Sequence, residues 1–396
     1  VAGHQVGGEL HARELQPEAA RERMGQRGLA NAGNVLDEQV PPGQQAGHAV
    51  RHLGLFAHDD RVKLVQQLLD FVFGMHAGHL TVKNAMGQAT GFFTHPDCRR
   101  HEMGAGHPEC PERLDAIEER LQASDLITRL DRREAQPAPL ADLELAHGRM
   151  HLAALRGLSD QLRDDINAGG PTHAQIDPDT SINVHSWDAI LVAAGAAIDA
   201  VDAVVAGELA NAFCAVRPPG HHATRSQAMG FCFVNNVAVA AKYALERHGL
   251  QRVAIVDFDV HHGNGTEDIV AGDERILMCS FYQHPFYPPW EHSTAVNLVN
   301  LPVPAYTKGM DIRELVDMMW LPRLDAHKPQ MVFISAGFDA HRDDSMGQLA
   351  MVENDYIWIT ERLMDVARRH AKGRIVSSLE GGYDLGSLAR SVEAHV

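Results

Sequence analysis

Cysteine is scarce and scattered in this 396-residue chain: Cys98, Cys110, Cys214, Cys232 and Cys279 form no CxxC pair and are odd in number. That speaks against a disulfide framework and against a thiolate zinc site. It also leads us to expect a reducing, cytoplasmic setting. The first thirty residues lack the apolar core of a secretion signal. No long apolar run is free of charge, since the most apolar one, residues 190–205, carries Asp199 and Asp202, so no membrane span is expected. Positive charge is short as well: 35 Lys and Arg against 52 Asp and Glu give a net charge of -17. Such a balance disfavours nucleic acid as a direct partner and makes a cationic substrate easier to attract. No GxGxxG fingerprint follows an apolar run, so dinucleotide redox chemistry is not indicated. Internal repeats are absent, and so are low-complexity tracts after residue 85.

What is present is 45% hydrophobic sequence, enough for one large domain or two ordinary ones. Residues 1–85 are polar, with stretches such as Gln39-Val-Pro-Pro-Gly-Gln-Gln45 and one apolar helical pattern from Val62 to Met75. Met86 stands just before the first clear strand, Thr90–Thr94. We therefore expect 1–85 to be a non-homologous extension or a mis-assigned start, and 86–396 to be the functional domain, cut short within its last helix. From Thr90 onward, short apolar strands at Ala212–Val216, Val253–Val256, Ile276–Phe281, Met331–Ala336 and Arg374–Leu379 alternate with helical stretches at Pro111–Ala123, Ser186–Ala206 and Asn235–Arg247. This alternation predicts an α/β fold, with a mostly parallel central sheet and helices on both faces.

The chain is organised around Val253-Ala-Ile-Val-Asp-Phe-Asp-Val-His-His-Gly-Asn-Gly265. Four apolar residues give way to Asp257, Asp259 and His261 alternating with Phe258 and Val260. Read as one strand that Gly263 and Gly265 end, the stretch places the two carboxylates and the imidazole on one side. A core keeps such groups only with a cation or a full set of hydrogen bonds. Three more apolar strands end in reactive side chains: His221 and His222 after Arg217-Pro-Pro-Gly, Asp339 after Ser335-Ala-Gly-Phe, and Tyr383 after Glu380-Gly-Gly. Four such ends at one edge of one sheet point to an active site. Asp259, His261 and Asp339 are a one-nitrogen, two-carboxylate set suited to Zn²⁺, with Fe²⁺ or Co²⁺ able to substitute, and with a position left open for water. A histidine pair supplies a general base and acid, and a tyrosine stabilises an oxyanion. The chemistry is amide or ester hydrolysis.

The motifs R-P-P-G-H-H-A (217–223), G-F-C-F-V-N-N (230–236), D-F-D-V-H-H-G-N-G-T (257–266), S-A-G-F-D-A-H (335–341) and E-G-G-Y-D (380–384), with H-P-E-C-P-E-R-L (107–114), resemble the histone deacetylase family. Asn264 and the E-G-G-Y form resemble its class II and bacterial amidohydrolase branch. The resemblance implies an arginase-like α/β fold, a mononuclear zinc site and hydrolysis of N-acetyl amides on lysine peptides, proteins or small amines. By motif it makes Asp259, His261 and Asp339 the zinc ligands, His222 the general base, His221 its electrostatic partner, and Asp257 and Asn264 the groups that orient the two imidazoles. Tyr383 becomes the oxyanion donor, and Gly230, Phe231 and Tyr287 become walls of the acyl-lysine tunnel. Tyr287 stands where the family usually has phenylalanine, which keeps the aromatic clamp and adds a polar tip. Met346 is placed beside the tunnel, where an apolar side chain suits a neutral lysyl stem and leaves a second ammonium unpaired. A structural potassium at Asp257, Asp259, His261 and the backbone near Ser280 and Phe281 is also implied. Gly263, where a dinuclear manganese site needs an acid, argues against an arginase. The residues alone leave open an amidohydrolase or esterase for other acyl groups, acetylpolyamines included, and a silent acyl-group-binding module.

Overall fold

The computed structural model describes residues 89–291 and 293–396; the expectations for residues 1–85 lie outside them. The apolar runs form the strands β1 (Thr90–Thr94), β5 (Asn211–Cys214), β6 (Val253–Asp257), β7 (Ile276–Gln283), β9 (Val332–Ala336) and β10 (Ile375–Leu379). Charged Asp131–Glu134 is β2, His173–Gln175 and Ser181–Asn183 are β3 and β4, and Leu298–Val303 is β8. Eight strands make one sheet in the order β2-β1-β5-β10-β9-β6-β7-β8, and every neighbouring pair is parallel. The expected mostly parallel sheet is thus parallel throughout, while β3 and β4 form a separate antiparallel hairpin. Strands β6, β7, β9 and β10 are buried along their whole length, which is why they read as mainly apolar, broken only by small or functional polar residues such as Ser280, Ser335, Ser377 and Ser378.

Helices cover the sheet in two layers. Label the principal ones α1 (Glu112–Ala123), α2 (Arg149–Asn167), α3 (Ser186–Ala206), α4 (Asn236–Glu246), α5 (Asn264–Val270), α6 (Glu353–His370) and α7 (Leu385–His395). Helix α3 packs on β1, β5 and β10 and against α4. It is the one described helix long and apolar enough to cross a membrane, yet 72% of its apolar window is buried inside the protein. Its Asp199 accepts the N–H of Gln136 at 2.7 Å, and its Asp202 meets Tyr243 Oη and His248 Nε2. Helices α1, α6 and α7 form the other layer, with His395 of α7 set against Phe213, Phe258 and Phe338 at 5.6–5.9 Å.

This topology positions the site. The four strands expected to end in reactive residues, β5, β10, β9 and β6, are consecutive in the sheet. Their carboxyl ends therefore lie side by side. One expectation is corrected: β6 stops at Asp257 and does not run on to His261. Beyond it the side chains take over the backbone donors. Asp257 accepts the N–H of Asp259 at 3.1 Å, Asp259 accepts that of His261 at 2.8 Å, and Asp339 accepts that of Val260 at 2.9 Å. Carboxylates thus take up backbone N–H groups that a strand would give to its neighbours, while the carbonyl of Val260 still accepts the N–H of Gln283 at 2.9 Å.

Candidate active site

Asp259 and His261 follow β6, Asp339 follows β9, and all three are buried. Their ligand atoms lie within 4.8 Å of one another, the one such group found among the described residues. Nδ1 of His261 is 3.0 Å from Oδ1 of Asp259 and 3.1 Å from Oδ2 of Asp339. Burial alone would lower the His261 imidazole, but hydrogen bonds to the two carboxylates outweigh it and raise it to about 10. Burial and the charge of Asp259 push Asp339 the other way for an acid, up to about 7. Two carboxylates closing on one nitrogen in a dry interior call for positive charge among them, and a divalent cation with O, O and N ligands answers that need. The donor set therefore fits a metal of the zinc type.

The turn after β10 is cut to this cluster. A Cβ at Gly381 would sit 2.0 Å from Oδ2 of Asp339 and 2.6 Å from Oδ2 of Asp259, and the Gly381 N–H donates to that Asp259 oxygen at 2.9 Å. Only glycine lets the backbone come this close.

The two histidines after β5 are buried and differ in their partners. His221 Nδ1 is 3.0 Å from Oδ2 of Asp257, and its Nε2 is 3.8 Å from Oδ2 of Asp259. Burial pulls His221 down, but Asp259 and Asp257 outweigh it and hold it well above the usual imidazole range. His222 Nδ1 is 2.7 Å from Oδ1 of Asn264, at the start of α5. Because an amide oxygen only accepts, Nδ1 carries the proton and Nε2 keeps its lone pair. Burial first, then the charge of His221 and His261, holds His222 well below the usual range. One imidazole is thus favoured charged and its neighbour, 4.1 Å away centre to centre, neutral.

A cavity of about 270 Å³ opens onto these groups, bringing together His222, Gly230, Phe231, His261, Tyr287, Met346 and Tyr383, with Asp179, Phe286 and Ser345 completing its wall. All the residues expected to line a tunnel are therefore in one cavity. The Tyr287 ring meets His222 edge-on at 5.3 Å, Phe286 stacks on His261 at 5.3 Å and 17°, and Phe231 stands edge-on to Tyr383 at 5.8 Å. At Gly230, with φ +55°, a Cβ would lie 2.5 Å from Cδ2 of His222, so the wall is at its closest there. Burial, then the charge of Asp339, keeps the Tyr383 phenol well above its usual range, hence protonated and able to donate.

Several residues of the site carried no assignment in the sequence reading. Glu380 is fully buried and accepts the N–H groups of Gly220 at 2.6 Å and His221 at 3.0 Å, plus the hydroxyl of Ser335 at 3.0 Å. Glu109, Arg113 and Arg217 form a buried charge network, from which Arg113 donates to the carbonyls of Gly382 and Glu380 and lies 5.0 Å over the Tyr383 ring. Their signal was adjacency: Glu380 and Arg217 sit inside motifs that hold reactive residues, and Glu109 and Arg113 sit inside H-P-E-C-P-E-R-L. Asp179, in the β3–β4 turn, had no such signal.

A family profile described as "Histone deacetylase domain" matches residues 107–396. The chain is 38% identical over 288 residues to a histone deacetylase-like amidohydrolase of Pseudomonas aeruginosa, covering 70% of this chain and 73% of that protein. It is 36% identical over 305 residues to a probable deacetylase of Archaeoglobus fulgidus, covering 75% of this chain and 82% of that one. Among solved structures, that of the HDA15 HD domain superposes with a TM-score of 0.71 at 33% identity, over 78% of this chain and 87% of that one.

Proposed function

This chain belongs to the histone deacetylase family, and from that we propose that it is a zinc-dependent deacetylase that removes the acetyl group from acetyl-lysine. Family membership makes it a hydrolase acting on amide bonds, with the arginase-like α/β fold. The observation that carries the finer reading is the convergence of the Asp259–His261–Asp339 donor set, the neutral His222 and the protonated Tyr383 on one narrow cavity.

Asp259, His261 and Asp339 would hold the cation, which when bound supplies Lewis-acid polarisation of the acyl carbonyl and of a water. His222, with Nδ1–H tied to Asn264, presents Nε2 to take the proton of the attacking water. His221, kept charged by Asp257 and Asp259, supplies positive charge beside it, and the proton that His222 takes up passes on to the leaving amine. Tyr383 donates a hydrogen bond to the oxygen that becomes negative as the carbonyl turns tetrahedral. Phe231, Tyr287 and Gly230 confine the aliphatic stem and exclude water from it. The structural potassium belongs to the same proposal, and the sheet register that sets Asp257 opposite Ser280 supports it. Five free cysteines support a reducing compartment.

Met346 on the cavity wall favours a neutral lysyl stem, because a second ammonium beside it would go unpaired. A second reading, acetylated polyamines, is favoured by Asp179 on the same wall and by the net charge of -17. Salt screens the net charge at long range, which leaves the carboxylate of Asp179 set against the apolar contact at Met346 within one cavity, and the substrate comparison decides between them. The test is kcat/KM for an acetyl-lysine peptide against N-acetylputrescine, on the metal-loaded protein at physiological salt. We expect the peptide to lead, and Met346→Glu to move the ratio toward the diamine. A wild-type preference of more than about tenfold for the diamine, some 1.4 kcal/mol, reverses the assignment.

A further inference from the structure

Tyr383 and Met346 come from different strand ends, yet one buried carboxylate holds both backbones. Asp344 is 5% exposed and lies in the loop after β9. Its Oδ2 accepts the N–H of Tyr383 at 2.6 Å and that of Asp384 at 3.0 Å, while its Oδ1 accepts the N–H of Met346 at 2.8 Å. Its own N–H donates to the carbonyl of His341 at 3.0 Å, which anchors it to the loop that follows Asp339. Bonds to an ionised acceptor are roughly twice as strong as neutral ones. The same turn is gripped from its carbonyl side by Arg113, through Gly382 and Glu380. Tyr383 is thus clamped from both faces of its backbone, and Asp344 is the clamp that also reaches the tunnel wall.

We infer that Asp344 is a positioning residue that sets the Tyr383 hydroxyl and the Met346 wall in one register, so that the fit of the substrate stem and the strength of the oxyanion donor are fixed together. The inference rests on the reading of Tyr383 as the oxyanion donor. An oxyanion donor is effective only within a few tenths of an ångström of where the charge appears, which makes the anchoring of its backbone part of catalysis. Asp344 makes no hydrogen bond to Asp259, His261 or Asp339, but its charge acts on Asp339, so bound metal is measured alongside kcat.

Asp344→Asn keeps the shape but exchanges one acceptor oxygen for an NH₂ group that cannot accept, so at least one of the two attachments is lost. We expect kcat on an acetyl-lysine peptide to fall by about tenfold or more, KM to stay within about threefold, and bound metal to stay stoichiometric. The ratio of kcat/KM between that peptide and N-acetylputrescine should also shift; a ratio unchanged within about twofold removes Met346 from the inference. The deciding comparison is with Tyr383→Phe, which alone should lower kcat by roughly two to three orders of magnitude. If Asp344 acts through the hydroxyl, adding Asp344→Asn to Tyr383→Phe costs less than about twofold more. Losses that multiply, or an unchanged kcat in Asp344→Asn, overturn the inference. An unchanged kcat in Tyr383→Phe overturns the oxyanion reading instead. Should Asp344→Asn not fold, Asp344→Glu, which keeps the charge but displaces it by one methylene, carries the same comparison.

Discussion

Replacing Glu109 by Gln tests whether the charge network behind the active site depends on a single carboxylate. Glu109 is fully buried; its Oε1 accepts from Nη1 of Arg113 at 3.1 Å and from Nε of Arg217, and its Oε2 accepts from Nη2 of Arg217 at 2.7 Å. Burial alone would raise this carboxyl, but the charges of Arg217 and Arg113 outweigh it and hold it at about 2, below its ordinary 4.5. At about 1.4 kcal/mol per pH unit, that gap corresponds to about 3 kcal/mol of stability. Breaking a buried ion pair from one side costs about 3–5 kcal/mol, because the partner charge is left behind. Both routes give the same size, so we expect Glu109→Gln to lose at least about 3 kcal/mol at pH 7. The sign with pH follows from the lowered folded-state pKa: the stabilisation is complete above pH 4.5 and is lost as pH falls from 4.5 to about 2. About 2 kcal/mol of it should be gone by pH 3. Urea unfolding of both proteins from pH 7 to pH 3, with chelator present so that metal linkage cancels, measures the difference directly. A loss below about 1 kcal/mol at pH 7, or one that stays constant down to pH 3, refutes the argument.

Asp259→Ala and Asp339→Ala should each lose bound metal and activity while the fold persists, as metal analysis and circular dichroism will register; full activity after chelation would contradict the donor-set reading. Gly381→Ala should weaken metal binding by about 10–100-fold, because the new methyl has to displace the carboxylates of Asp339 and Asp259; competition with a chromophoric chelator reads this out. His101 and His147 are held by burial at about 3, and His395 at about 4. At each of these three the unfolded chain, with histidines near 6.5, binds more protons, so their contribution, complete above pH 6.5, is lost as pH drops toward 4, and His395→Gln should lessen that loss relative to the wild type. A urea-midpoint difference between the two proteins that is the same at pH 7 and pH 5 would contradict this.

The parts of the fold that were legible in sequence are those whose burial is complete. Strands β6, β7, β9 and β10 are covered on both faces, so they are mainly apolar, with the few polar residues small or hydrogen-bonded. The edges were not legible for the same reason. Strand β2 is Asp-Arg-Arg-Glu, with its exposed side chains paired to Glu118 and Glu208, and nothing in it is apolar. Strand β8 carries Pro302, tolerated at an edge where no further strand needs its N–H. Helices α2 and α6 bury one stripe each, Leu152, Leu155 and Leu162 in the first, and Tyr356, Ile359 and Leu363 in the second. Diluted among charged residues, those stripes carry little signal in the sequence.

At the site, sequence reading reached the residues that face the cavity and stopped short of those that hold them. The reason is physical. A ligand or a base must be a particular chemical type at the end of a strand, so Asp259, His261, Asp339, His222 and Tyr383 stand out against apolar neighbours. Glu380, Asp344, Glu109 and Arg113 act on backbone groups or on one another, across separations of 160, 39, 108 and 269 residues, for example from Glu380 to Gly220 and from Arg113 to Gly382. Their partners are mostly N–H and C=O groups that every residue carries, so no residue type at the other end advertises the pairing. A carboxylate buried without an ion-pair partner is still a strong statement about its surroundings, since it persists only where several donors converge on it. Glu380 has three such donors and Asp344 has three. Acidic residues beside a reactive motif are therefore the places to look for the framework that holds it, ahead of any assignment to the metal.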